Sequence, residues 1–341
     1  MSATLLELTE RGLYCPAGDF FIDPWRPVPR AVVTHAHSDH ARWGCQRYLA
    51  VSDGLELLRM RLGPEASIDT LAYGESTQWR GVDISLHPAG HMLGASQVRI
   101  EVGGQVAVVT GDYKLEADPT CRQWEPVRCH LLVTETTFGL PVYRWPAPQQ
   151  VAKEINAWWR DNADAGRCSV LYGYAIGKSQ RLLSLLDPNI GPIYTHGAVE
   201  RGVEAYRRSG VALPMTTPVA ATGKGQSFAG CMVLAVPSAH GTHWLRRFGD
   251  LQTAMASGWM MVRGQRRRRS MDRGFVLSDH VDWPSLLTAV NQCQAEEVWA
   301  THGYSRVVAR YFNEQGLKSS ALATRLRDEH EDSGEEVEGE S

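Results

Sequence analysis

The sequence has no apolar run approaching the ~18 residues that a membrane-spanning helix needs, and residues 1–9 have neither the basic start nor the apolar core of a signal peptide. The expectation is a cytoplasmic protein with no membrane partner. No two cysteines have C-x-x-C spacing, and the seven present (Cys15, Cys45, Cys121, Cys129, Cys168, Cys231 and Cys293) are scattered and odd in number. This pattern indicates neither a thiolate zinc site nor a disulfide framework, and leaves buried or free thiols. No internal repeat is found.

What is present is ordinary globular composition. The 341 residues are 43% hydrophobic and 21% charged, enough chain for about two domains with a sizeable core. The formal charge of −3 hides an asymmetry, because residues 328–341 hold eight acidic residues and no Lys or Arg. This tail is expected to be disordered. Without it, 35 basic residues face 30 acidic ones, a body of about +5. That suits a polyanionic substrate but is a weak signal, which a merely solvated surface explains more simply.

Along the chain, Leu13-Tyr14, Phe20-Phe21-Ile22 and Ala31-Val32-Val33 read as short strands punctuated by Gly and Pro. Ser52 is placed to cap a helix over 54–62, which Gly63-Pro64 stops. Period-two strands follow at 82–86 and 97–102, and Gly103-Gly104 joins the latter to 106–109 as a hairpin, with a further strand at 131–134. After a proline-rich bend the character changes. A helix at 149–162, a strand at 168–172, a helix at 179–186, a strand at 192–195 and a helix at 199–209 follow the rhythm of a parallel sheet with crossover helices. The expected domains are therefore a first one at 1–143, an inserted one at 144–272 and a return to the first at 273–327, with strands at 274–277 and 298–300 and a helix at 306–315.

The chemistry concentrates in Thr34-His35-Ala36-His37-Ser38-Asp39-His40, directly after the apolar run Ala31-Val32-Val33. Imidazole and carboxylate donors suit zinc, manganese or iron. Alternation along the stretch can aim His35 and His37 one way and Asp39 and His40 another, so one stretch can serve two adjacent ions. Two later segments have the form of remaining ligands: Pro88-Ala89-Gly90-His91 and Val108-Val109-Thr110-Gly111-Asp112, each just past an expected strand.

The order H-x-H-x-D-H, then His, then Asp resembles the metallo-β-lactamase-fold hydrolases. Its matches here are His35, His37, Asp39, His40, His91 and Asp112. Asp23, at an earlier strand end, resembles that family's first carboxylate, which holds ligand histidines by hydrogen bonds; an Asp-Pro turn is the plain alternative. Thr134-Glu135-Thr136-Thr137-Phe138-Gly139, Ala175-Ile176-Gly177-Lys178-Ser179-Gln180-Arg181, Leu277-Ser278-Asp279-His280 and Thr301-His302-Gly303 resemble the β-CASP group of nucleases within that fold. In that group an acidic residue and two histidines mark three further motifs, matched by Glu135, His280 and His302. The resemblance implies an α/β (α+β) architecture, an αββα sandwich with an inserted α/β β-CASP domain and the metals at one edge. It implies two divalent ions per chain, Zn2+ or Mn2+. His35, His37, His91 and Asp112 would hold one, and Asp39, His40, Asp112 and His302 the other, with Asp112 bridging. His280 would be the general acid, oriented by Glu135, in phosphodiester hydrolysis by a hydroxide activated by the two metals.

Within that group, the Artemis-like repair branch typically has valine where this chain has His302, whereas the RNA-processing branch has histidine. The run around Gly177-Lys178-Ser179-Gln180-Arg181 and Arg273-Gly274-Phe275-Val276-Leu277-Ser278-Asp279-His280 is most similar to bacterial ligase-associated DNA exonucleases, which keep the histidine. The expected function is a 5′ to 3′ DNA exonuclease in repair, acting on single-stranded DNA or free ends beside a DNA ligase and a helicase. The alternative is an RNA nuclease of the 3′-end-processing or RNase J kind. A hydrolase of a small ester or thioester, and a nucleic-acid-binding subunit with a relict site, are the remaining readings. Phosphate contacts are expected from Arg266, Arg267, Arg268 and Arg269, and from Lys178 and Arg181 at the start of a helix. Trp145, Trp158, Trp159, Trp244 and Trp259 could stack on bases but are read mostly as core, and His240 and His243 are read as loop residues rather than as another metal pair.

Overall fold

A computed structural model describes residues 5–262 and 271–323. The arginines at 266–269 and the acidic tail at 328–341 lie outside the described residues. The described chain forms two compact units, 5–144 with 280–323, and 145–279.

The first unit holds two mixed sheets. The six-stranded sheet runs in the order Glu7–Thr9, Gly12–Cys15, Phe20–Ile22, Arg30–Val32, Arg47–Val51 and Ile68–Leu71, antiparallel at first and parallel from Phe20–Ile22 onward. The seven-stranded sheet runs Lys318–Ala321, Glu297–Thr301, Leu131–Glu135, Gln105–Val109, Ser96–Val102, Val82–Pro88 and Ser76–Trp79. Its first four strands are parallel and its last four antiparallel, the shared strand being Gln105–Val109. Because side chains alternate across a strand, Val82, Ile84 and Leu86 and their neighbours Val98 and Ile100 all face one way. They join Phe20, Ile22, Val32, Leu49 and Val51 in one buried apolar cluster between the sheets. The helix Ser305–Glu314 packs on Glu297–Thr301 and Lys318–Ala321, and Leu55–Leu62 and Trp283–Cys293 complete the helical part of the unit.

The second unit is one fully parallel sheet in the order Thr217–Pro218, Ile193–Thr195, Met232–Ala235, Cys168–Tyr172, Leu251–Ala256 and Arg273–Phe275. Its helices are Pro148–Asp164, Lys178–Leu185 and Gly197–Arg208. Trp158, Trp159 and Trp259 are buried core residues.

Two expectations are corrected. The stretch 274–277 does not return to the first unit: Gly274 pairs with Met255 and Phe275 with Ala256, and the Asp272 carboxylate accepts hydrogen bonds from the N–H and hydroxyl of Thr253 at 2.8 and 2.9 Å. The second unit thus runs to Asp279 rather than 272. Ser52 does not cap the first helix, because it lies in the 3-10 turn Ser52–Gly54 that precedes Leu55–Leu62, and no side chain caps either element. No described helix is long and apolar enough to cross a membrane.

Candidate metal centre

The site residues of the first unit gather at the carboxyl ends of strands. Asp23 follows Phe20–Ile22, the stretch from Thr34 to His40 follows Arg30–Val32, His91 follows Val82–Pro88, Asp112 follows Gln105–Val109, Glu135 ends Leu131–Glu135 and His302 follows Glu297–Thr301. Neighbouring strands that end together present loops side by side, so residues far apart in the chain meet. Two of these loops need glycine. Gly111 has φ 56° and a Cβ there would lie 2.6 Å from the Thr34 side chain, while Gly90, at φ 77°, would press its Cβ to 2.4 Å from the Lys114 carbonyl.

One group comprises His35, His37, His91 and Asp112, with a donor atom from each within 4.8 Å of the others. Nδ1 of His37 stands 3.1 Å from Nε2 of His35 and 3.2 Å from Nε2 of His91. Oδ2 of Asp112 lies 3.6 Å from His35 Nε2 and 3.9 Å from His91 Nε2. Donors about 2.1 Å from a shared tetrahedral ion stand about 3.4 Å apart, which is this spacing. Asp39, His40 and His302 form a second group. His40 Nε2 is 3.4 Å from Asp39 Oδ2 and 3.5 Å from Asp112 Oδ2, so the same Asp112 oxygen faces both groups.

The donor set fits two cations. Nε2 of His40 and of His302 are buried atoms with no hydrogen-bond partner, and an unpaired buried nitrogen is costly unless something binds it. The opposite edge of each ring is occupied. His40 Nδ1 lies 2.7 Å from Asp23 Oδ2, and His302 Nδ1 lies 2.9 Å from the Thr301 hydroxyl. Such contacts place the proton on Nδ1 and turn Nε2 inward as a donor. Asp23 also accepts the Thr34 N–H at 2.8 Å and its hydroxyl at 2.6 Å, so it ties the ligand stretch rather than joining it. Asp23 and His302 hold φ of 44° and 56°, two of five non-glycine residues with positive φ among the described residues. Such strain tends to collect at functional sites.

The charges point the same way. Burial pushes the His35 ring well below its usual pKa, and the neighbouring His40 and His37 rings add to that. For His40, burial alone would lower it, but the carboxylates of Asp39, Asp112 and Asp23 outweigh this and hold it well above. Burial would raise Asp39 and Asp112, yet His40 holds Asp39 down to about 2, and His40, His280 and His35 hold Asp112 well below the carboxylate range. Asp39 and Asp112 are thereby kept ionised, the form in which a carboxylate can hold a cation.

A third group joins Asp112, Glu135 and His280. Here the carboxylate is already engaged within the protein. Glu135 accepts the Tyr113 N–H at 2.9 Å and the Thr137 hydroxyl at 2.6 Å, and lies 2.8 Å from His280 Nδ1. Glu135 thus has three partners within the protein, and His280 is one of them.

No family model matches the sequence. A protein of Opitutus terrae named as a probable DNA ligase is 32% identical over 314 residues, which is 91% of this chain and 30% of that protein. Endoribonuclease YSH1 of Yarrowia lipolytica is 31% identical over 168 residues, 46% of this chain and 20% of its own length. Cleavage and polyadenylation specificity factor 73 of Drosophila melanogaster is 28% identical over 181 residues, 51% of this chain and 26% of its own. The chain is homologous to the β-CASP nucleases of metallo-β-lactamase fold. It spans less than a third of the length of each of these relatives. A protein of unknown function from Enterococcus faecalis V583 shares the fold, with a TM-score of 0.58 at 13% identity over 87% of this chain and 80% of that one.

Two basic residues of this β-CASP homologue do not do what the sequence suggests. Lys178 and Arg181 are buried at 2% and 3% exposure. Lys178 Nζ donates to the Leu277 carbonyl at 2.9 Å and pairs with Asp279 at 2.7 Å, while Arg181 donates to the Ser278 carbonyl and pairs with Asp279 at 2.8 Å. They are corrected from phosphate contacts to a buried clamp on the segment ending at Asp279. Sequence reasoning also missed Lys114 of the β-CASP homologue. Fully buried, it pairs with Asp118 at 2.9 Å and donates to the carbonyls of Gly90 and His91, pinning the loop that carries His91. The run Gly111-Asp112-Tyr113-Lys114 gives no sign of this, since a lysine there reads as exposed. His240 and His243 lie in the second unit, in no candidate metal group among the described residues.

Proposed function

We propose that this chain is a metal-dependent DNA exonuclease that hydrolyses phosphodiester bonds 5′ to 3′ and works in repair with a ligase and a helicase. The observation that carries the nuclease reading is the single oxygen, Asp112 Oδ2, lying 3.6 Å from one ligand group, 3.5 Å from the other and 3.9 Å from His280. Two divalent ions held there, zinc or manganese, would lower the pKa of a water and offset the charge of a phosphate. His35, His37, His91 and Asp112 would hold one, and Asp39, His40, Asp112 and His302 the other.

The chain's own residues supply the rest. With Nδ1 of His280 turned to Glu135 at 2.8 Å, Nε2 is the ring atom left for a proton transfer. The Glu135 charge stabilises the imidazolium, so the ring can give its proton to the departing oxygen. Asp23 and Thr34 keep the ligand stretch in one geometry, which matters because misplacement by about 1 Å can cost about 10²-fold in rate.

The DNA assignment is supported by the match over 91% of the chain to the Opitutus protein named as a probable DNA ligase. A second reading, an RNA nuclease, is favoured by His302 and by the relatives named as endoribonucleases. End-labelled single strands of DNA and RNA, incubated with the purified protein and manganese or zinc, separate the two. Stepwise shortening of DNA from its 5′ end is expected; preferential cutting of RNA would overturn the DNA reading, and shortening from the 3′ end the polarity.

A further inference from the structure

Of eleven tryptophans, ten are buried or half-buried, and Trp43 is 77% exposed. A lone exposed apolar residue is common on protein surfaces, but the loop here is not slack. The Tyr48 hydroxyl donates to the Arg42 carbonyl at 2.7 Å and accepts the Cys45 N–H at 2.9 Å. The Gln46 N–H donates to the Val28 carbonyl at 3.1 Å, and the N–H groups of His40 and Ala41 both donate to the His37 carbonyl. The chain is therefore tied immediately before and after Trp43, and the earlier tie is to the ligand stretch itself. A large ring with only two side-chain torsions, carried on such a loop, gives up little freedom when something lies against it.

Arg42, next to it, is half-buried, and its Nε has no hydrogen-bond partner. An exposed aromatic ring next in the chain to an arginine is a residue pairing that single-stranded nucleic acid can use, the base on the ring and a phosphate on the cation. We propose that Trp43 stacks on an unpaired nucleobase close to the bond being cut, with Arg42 holding a phosphate of the same strand. This rests on the nuclease reading above. A ring stacks on every base, so the contact carries no sequence preference. It does require an unpaired base, so single strands and frayed ends are preferred to blunt duplex.

The test is the affinity of the manganese-loaded full chain for a phosphorothioate 12-mer of single-stranded DNA, intact or with one abasic residue moved along it. Trp43→Ala is expected to weaken binding about five- to a hundredfold, and Trp43→Phe to restore most of it. An abasic residue at one position should weaken the wild type by a similar factor and leave Trp43→Ala indifferent. Equal binding by Trp43→Ala, failure of Trp43→Phe to restore it, or undiminished sensitivity of Trp43→Ala to the abasic residue would overturn the inference. If the wild type still cuts an unmodified 12-mer, the nuclease reading survives that failure; a wild type that neither binds nor cuts overturns both.

Discussion

Nδ1 of His280 lies 2.8 Å from Oε2 of Glu135, and both side chains are almost wholly buried. Since Glu135 is also held by the Tyr113 N–H and the Thr137 hydroxyl, the ring's orientation is fixed from behind. His280→Ala should slow cleavage about 10²- to 10⁴-fold, the usual worth of a positioned proton donor, with the metal content unchanged by elemental analysis. Loss of metal from this variant would identify His280 as a ligand instead.

Asp112 has the opposite expectation. Its Oδ2 faces both ligand groups, so Asp112→Ala should abolish cleavage and lower the bound metal while the circular dichroism spectrum stays native. Unchanged activity would remove the two-metal account.

Asp23 acts through its neighbours. It accepts three hydrogen bonds from Thr34 and His40, and Asp23→Asn should weaken metal binding about 10- to 100-fold. Competition with a coloured chelator reads this without any turnover. Equal affinity would reduce Asp23 to an ordinary turn residue.

These site residues differ in how far the sequence disclosed them. His35, His37, Asp39 and His40 share one short stretch, and His91, Asp112 and His302 each follow an apolar run, so strand ends could be read before any coordinates. The alternation at 82–86 and 97–102 marks strands for the same reason, since period two is a local property. Pairings between distant strands are not local. Arg273–Phe275 was assigned to the wrong unit because nothing in its own residues says that Leu251–Ala256 lies beside it. Burial of charge is equally hidden. Lys178 and Arg181 look like phosphate contacts until Asp279 is found against them, and Lys114 looks like a surface residue until Asp118 is.

Lys114 and Asp118 are side chains at 0% and 2% exposure, so Lys114→Met leaves a buried carboxylate without its cation. The expected cost is about 3 to 5 kcal/mol in stability, read as a lower urea midpoint. Lys114→Met with Asp118→Leu should cost less than the sum of the two single changes, because the pair leaves together. Strict additivity would show that the two residues do not act as a pair.

The clamp on Asp279 makes a contrasting expectation about salt. A lysine on phosphate would contribute about one unit to the slope of log affinity against log salt. Lys178 is spent on Asp279, so Lys178→Met should leave that slope for single-stranded DNA unchanged while lowering the urea midpoint. A shallower slope by about one unit would restore Lys178 as a phosphate contact.

The most direct test of the whole account titrates manganese into metal-stripped protein while following cleavage of an end-labelled DNA strand. Cleavage should be absent at the start, rise with added metal and reach its plateau at two equivalents per chain. Full cleavage by the stripped protein, or a plateau at one equivalent, would contradict two ions sharing Asp112.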